Sequence, residues 1–169
     1  MREIPKKNYI ILAVIVFLTI FAVFYVRNWY VMAREYNSDN SPMLKVINEI
    51  NPDEISNYVL ENPKFILYTS SGLNTNIKGF ESKFKNYVLD RNMNDYMVYI
   101  NTANTDIERL RNILIQYTTN DMANRVKPSD NVSIYVFENG RIAGVINKVN
   151  ELDNKTIGKI LNGYGVLDA

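Results

Sequence analysis

The chain has 169 residues, 47% of them hydrophobic and 22% charged, a composition suited to one folded domain plus an appendage. It contains neither Cys nor His. Disulfide exchange, thiolate nucleophiles, zinc sites built on Cys or His, and imidazole acid–base catalysis are therefore excluded, leaving carboxylates, Lys, Tyr, Ser and Thr for any chemistry. Five of the 19 basic residues and two of the 18 acids fall in the first 35 positions, so the rest carries 14 basic against 16 acidic residues. That balance gives no reason to expect a nucleic-acid groove.

Residues 9–26, "YIILAVIVFLTIFAVFYV", hold no charge, Gly or Pro, and only Thr19 is clearly polar. At 1.5 Å per residue they span about 27 Å, close to the hydrocarbon thickness of a bilayer. Lys6 and Lys7 before the run, and Arg27, Trp29 and Tyr30 after it, are membrane-interface flanks. The reading is a short cytoplasmic tail (residues 1–8) and an uncleaved transmembrane signal-anchor helix (9–33). The apolar run is too long, and its exit too bulky, for a cleaved leader. Arg2, Lys6 and Lys7 favour the N-terminus inside and the bulk of the chain outside the cytoplasm. A linker (34–43), rich in Ser, Asp and Asn with one Pro, then leads to a folded domain at 44–169.

Within that domain, residues 44–50 ("LKVINEI") read as a strand. Asn51, Pro52, Asp53 and Glu54 open a short helix. Residues 64–70 ("KFILYTS") form an apolar run suited to a central strand. Ile77, Phe80, Phe84 and Val88 recur at helical spacing, predicting a helix to about Arg91. Residues 95–102 give a further strand, and Ile107, Leu110, Leu114 and Tyr117 a second amphipathic helix started by Thr105 and Asp106. Asn139-Gly140, between two strand-like runs, predicts a tight hairpin because both residues tolerate positive φ. A terminal helix follows from residue 154. The order predicts an α/β domain, a mixed sheet covered on both faces in three α/β/α layers.

This order, with "VSIYVFENGRIAGVI" (132–146) and "KFILYTSSGLNTNIKGFESKF" (64–84), resembles the thioredoxin fold from about Leu44 onward. The first stretch is similar to the family's late hairpin. The second is similar to its central strand, active-site turn and long second helix. The resemblance places Leu73, Asn74, Thr75 and Asn76 where the family carries Cys-x-x-Cys, and Val132 where it carries a cis-proline, so both hallmarks are missing. It implies a redox-inactive, membrane-tethered domain of the kind found among bacteriocin-transport accessory proteins and envelope assembly factors. Such a domain would act by binding a protein partner at the extracytoplasmic face.

The partner-facing candidates are Ser71, Gly72, Leu73, Asn74, Thr75, Asn76 and Val132. Structurally, Ser70, Ser71 and Gly72 are expected to shape the turn, with Thr75 or Asn76 capping the helix. A second reading is a hydrolase or transferase using Ser71 with Lys78 or Lys83 as base, although both lysines are expected to be solvated. A third is an architectural subunit acting through its anchor helix. The acidic pairs Asp53/Glu54 and Asp106/Glu108 sit at helix starts, where carboxylates complement the dipole. No metal, cofactor or nucleic-acid partner is expected.

Overall fold

The computed structural model describes residues 6–36 and 40–165. Residues 1–5 of the expected tail, 37–39 of the expected linker, and 166–169 lie outside the described residues. The chain divides into two compact units, one up to Asn37 and one from Ser38.

The first unit is a single helix, α1 (Lys6–Tyr36). Its segment Asn8–Tyr30 has a mean hydropathy of 2.8 and no buried residue, and is long and apolar enough to cross a membrane. The one polar side chain noted inside the run is internally satisfied, because Thr19 Oγ1 donates to the Ile15 carbonyl at 2.8 Å. This back-bond hides the hydroxyl from an apolar surround.

The second unit is an α/β domain built on a five-stranded mixed sheet, with strands β1 (Asn48–Glu49), β2 (Lys64–Ser70), β3 (Met97–Asn101), β4 (Ser133–Glu138) and β5 (Arg141–Asn147). Their order is β1-β3-β2-β4-β5. β1, β3 and β2 are parallel, while β4 runs antiparallel to both β2 and β5. β2 is the central strand and six of its seven residues are buried. Its alternation sends Ile66 and Tyr68 to one face and Phe65 and Leu67 to the other.

The first face is covered by α3 (Thr75–Asp90) and α6 (Asn154–Gly163) through Ile77, Phe84, Val88, Ile157 and Leu161. The opposite face is covered by α2 (Ile55–Glu61) and α4 (Ile107–Ile115) through Ile55, Val59, Leu110 and Leu114. The hairpin forms as the sequence predicts, with Asn139 at φ 51° and Gly140 at φ 75° in a two-residue turn.

Three expectations about elements change. Residues 44–50 are not a continuous strand, since Pro42–Lys45 make a 3-10 turn and pairing is confined to Asn48 and Glu49. Pro42 sets the turn, and Ser41 takes the Met43 N–H at 3.1 Å. The last residues of the expected linker thus belong to the packed unit: Ser41, Pro42 and Met43 are all buried. The second amphipathic helix stops at Ile115, short of Tyr117. From there the chain runs along the open edge of β5, where Ile142 N–H donates to the Tyr117 carbonyl at 2.8 Å and Asn147 Nδ2 donates to the Arg125 carbonyl at 2.9 Å. A short helix, α5 (Asn120–Ala123), lies in this segment. The cover shields an edge that would otherwise offer unpaired backbone groups.

Candidate functional site: a turn braced from beneath

The turn after β2 is held at four points. Ser70 Oγ accepts the Gly72 N–H at 3.1 Å. Gly72 adopts φ +61°, where its backbone lies so close to Ser41 that an added Cβ would stand 2.9 Å from Ser41 Cβ. Ser71 Oγ donates to the Asp130 carbonyl at 3.0 Å, joining the turn to the loop before β4. Asn74 is extended and its Oδ1 accepts the Asn76 N–H at 2.8 Å, so Asn74, rather than Thr75 or Asn76, caps α3.

These contacts sort the predicted site residues into two groups. Ser71 and Gly72 are buried bracing elements, whereas Leu73, Asn74, Thr75 and Asn76 face solvent, Leu73 with 59% of its surface exposed. Val132 belongs with neither group. It is fully buried in the core, and its carbonyl accepts the Val149 N–H at 2.9 Å.

Beneath the turn lies a buried polar cluster that the sequence reading did not anticipate. Glu81 points from α3 toward the sheet and has no exposed surface. Its Oε2 accepts from Ser41 Oγ at 2.8 Å and its Oε1 from Tyr68 Oη at 3.0 Å. The Ser70 side chain, whose Oγ accepts the Gly72 N–H, lies near the same carboxylate. Tyr99 Oη, stacked beside Tyr68 with ring centroids 5.9 Å apart, donates to the Ser70 carbonyl at 2.8 Å. Lys78, one turn before Glu81, is also buried at 5% exposure and places a positive charge near it, contrary to the expectation that it is solvated. Lys83 is exposed as expected.

Burial is the largest influence on Glu81 and pushes its pKa above the ordinary 4.5. The hydroxyls of Ser70, Ser41 and Tyr68, together with the Lys78 charge, pull it back. The Tyr68 phenol is driven well above its usual range, first by burial and then by the neighbouring carboxylate, so it stays a donor.

A second group of hydroxyls occupies the other face of the same strand end. Thr69 Oγ1 approaches the Ser133 carbonyl at 3.4 Å, and Ser133 Oγ approaches Asn147 Oδ1 at 3.4 Å. The phenol oxygen of Tyr135 and the hydroxyl of Thr102 are buried without a hydrogen-bond partner among the described residues. Burial raises the Tyr135 pKa.

The expected helix-start roles hold for Asp106, whose Oδ1 accepts the N–H groups of Glu108 and Arg109 at 3.0 and 3.1 Å. Asp53 pairs with Arg109 at 2.6 Å, an exposed contact of the sort that contributes little stability.

Glu81 could have been found in the sequence. It stands four residues after Ile77 and three before Phe84, on the apolar stripe of α3, where a solvated acid does not belong. Comparison with protein-family models, curated proteins and solved structures finds no match to this chain.

Proposed function

We propose that the protein is a membrane-anchored accessory or assembly factor whose thioredoxin-like, redox-inactive domain binds a protein partner through the exposed part of the turn at residues 71–76. The observation that carries this reading is an exposed leucine at the tip of a turn fixed from four sides. A pre-ordered loop loses little conformational entropy on docking. Leu73 offers an apolar anchor, and Asn74, Thr75 and Asn76 offer a polar rim of donors and acceptors, the usual make-up of a small recognition patch.

The sheet order and the Asn139-Gly140 hairpin support the thioredoxin-like reading, and the absence of Cys removes the redox chemistry such a turn would otherwise carry. The apolar window of α1 supports anchoring, and Arg2, Lys6 and Lys7 support an extracytoplasmic domain. Against an acyl-transfer role for Ser71, its hydroxyl is directed at the Asp130 carbonyl.

A photo-crosslinking residue placed at Leu73 of the full chain in native membranes tests the reading. It is expected to give a discrete protein adduct that disappears on Asn74→Asp/Asn76→Asp substitution in the same chain, whereas a probe at exposed Leu60 gives none. Adducts arising only from probes along Asn8–Tyr30 would favour the architectural role instead. Digestion of the domain by external protease on intact cells checks its side of the membrane.

A further inference from the structure

Two short segments far apart in sequence are folded by the same device and pack against each other. At residues 41–43, Ser41 Oγ accepts the N–H two residues on, from Met43, and donates its own proton to Glu81 Oε2. At residues 70–72, Ser70 Oγ accepts the N–H two residues on, from Gly72, and the Ser70 carbonyl accepts from Tyr99 Oη at 2.8 Å. Each serine shapes a backbone turn with its lone pair, and Ser41 also anchors its turn to Glu81 with its proton. The two turns also touch directly, because Gly72 lies against Ser41 with no room for a side chain between them. Met43 and Ile47 then pack into the core beside Tyr68 and Tyr99.

We propose that residues 41–46, at the start of the domain after the anchor helix, form a strap that sets the conformation of the exposed turn through the close contact of Ser41, held by Glu81, with Gly72, so that seating of the strap and order of the turn are coupled. Ser41 is held from beneath by Glu81 and lies against Gly72 with no room between them, and Gly72 is held in turn by Ser70, so a shift of the strap displaces the turn. What happens to the chain between anchor and domain is thereby felt at residues 71–76. The functional consequence rests on the binding role proposed above, whereas the coupling itself is measurable without any partner.

Hydrogen–deuterium exchange on the full chain in lipid nanodiscs tests it. Ser41→Ala cuts the strap from Glu81, and exchange is expected to rise about ten- to hundred-fold at residues 41–46 and also at 71–76, the effect of losing one hydrogen bond to a charged group. β4 and β5 should keep their wild-type rates. Ser70→Ala removes the acceptor that holds Gly72 from the other side and, because coupling is reciprocal, should loosen residues 41–46 as well as the turn. Faster exchange confined to the segment that carries the substitution would overturn the proposal, as would no change in either variant. A uniform rise that includes β4 and β5 would also overturn it, since that marks loss of the whole fold's stability. Coupled exchange without crosslinks from Leu73 would leave the strap standing and remove the binding role, and crosslinks with uncoupled exchange would do the reverse.

Discussion

Gly72→Ala probes the contact between the turn and the residue beneath it, and Gly140→Ala supplies a control for backbone strain. Both glycines are in the left-handed region, at φ +61° and +75°. A side chain at such a φ costs roughly 1–2 kcal/mol. At Gly140 that is the whole effect, because the nearest atom to a new Cβ is Val59 Cγ1 at 3.8 Å, an ordinary van der Waals distance. At Gly72 the new methyl meets Ser41 Cβ at 2.9 Å and the Ser41 Cα and N at 3.2 Å. Two of those atoms are backbone, and Ser41 is held in turn by Glu81 and Met43, so the strain cannot be relieved by a rotamer change. Overpacking of this kind adds about 1–3 kcal/mol, giving a total of about 2–5 kcal/mol for Gly72→Ala. Urea unfolding of the full chain in detergent micelles, followed by far-ultraviolet circular dichroism, reads the difference, with α1 as a constant background. Equal losses at the two positions would refute the close packing of turn on strap.

Glu81 gives a prediction in pH. Because its folded pKa lies above the ordinary 4.5, the native state binds the proton more tightly than the unfolded chain. Its contribution is therefore fully present below 4.5 and is lost as pH rises through the folded value. The stability of the wild type relative to Glu81→Gln should accordingly fall as pH rises above 4.5 and then level off; a difference that grows instead would mean that the donors outweigh burial. Lys78→Met removes a charge that holds the carboxyl pKa down, so the same window should move to higher pH. In the hairpin, Asn139→Val should cost about 1–2 kcal/mol by forcing a β-branched residue to positive φ, while Asn139→Gly should stay within a few tenths, both read from urea midpoints. Glu81→Leu should cost about 1–3 kcal/mol for each of Ser41 and Tyr68 left without its acceptor, and adding Ser41→Ala and Tyr68→Phe should recover much of that loss.

What could be read from the sequence was periodic and local. The strand at 64–70, the apolar stripe of α3 and the Asn139-Gly140 turn each declare themselves through spacing or through residues that tolerate an unusual φ, and each forms where expected. Residues 44–50 misled because Leu44, Val46 and Ile47 are apolar for packing beside Met43 around a Ser-Pro turn, and not for strand alternation. At the candidate site, the exposed tip was legible as the loop between two strong elements. Its bracing was not, because Ser41, Tyr68, Glu81 and Tyr99 come from four separate stretches and meet only when the sheet has closed. Val132 was placed by family register alone, and register says nothing of whether a side chain turns inward.

Polar atoms gather on both faces of the sheet at one place, the C-terminal end of β2, with Tyr68 bonded to Glu81 and Tyr99 to the Ser70 carbonyl on one side and Thr69 beside Ser133 and Tyr135 on the other. An apolar core there would fold as well or better, because buried ionic and hydroxyl networks seldom repay their desolvation. What such a network supplies is shape, since directional bonds fix a backbone that dispersion contacts would leave several ways to pack. In this protein the shape so fixed is that of residues 70–74, the stretch that leaves the sheet and presents Leu73 to solvent. The expensive part of the interior thus lies directly under the exposed part of the turn, as expected where a surface must hold one conformation to be recognised.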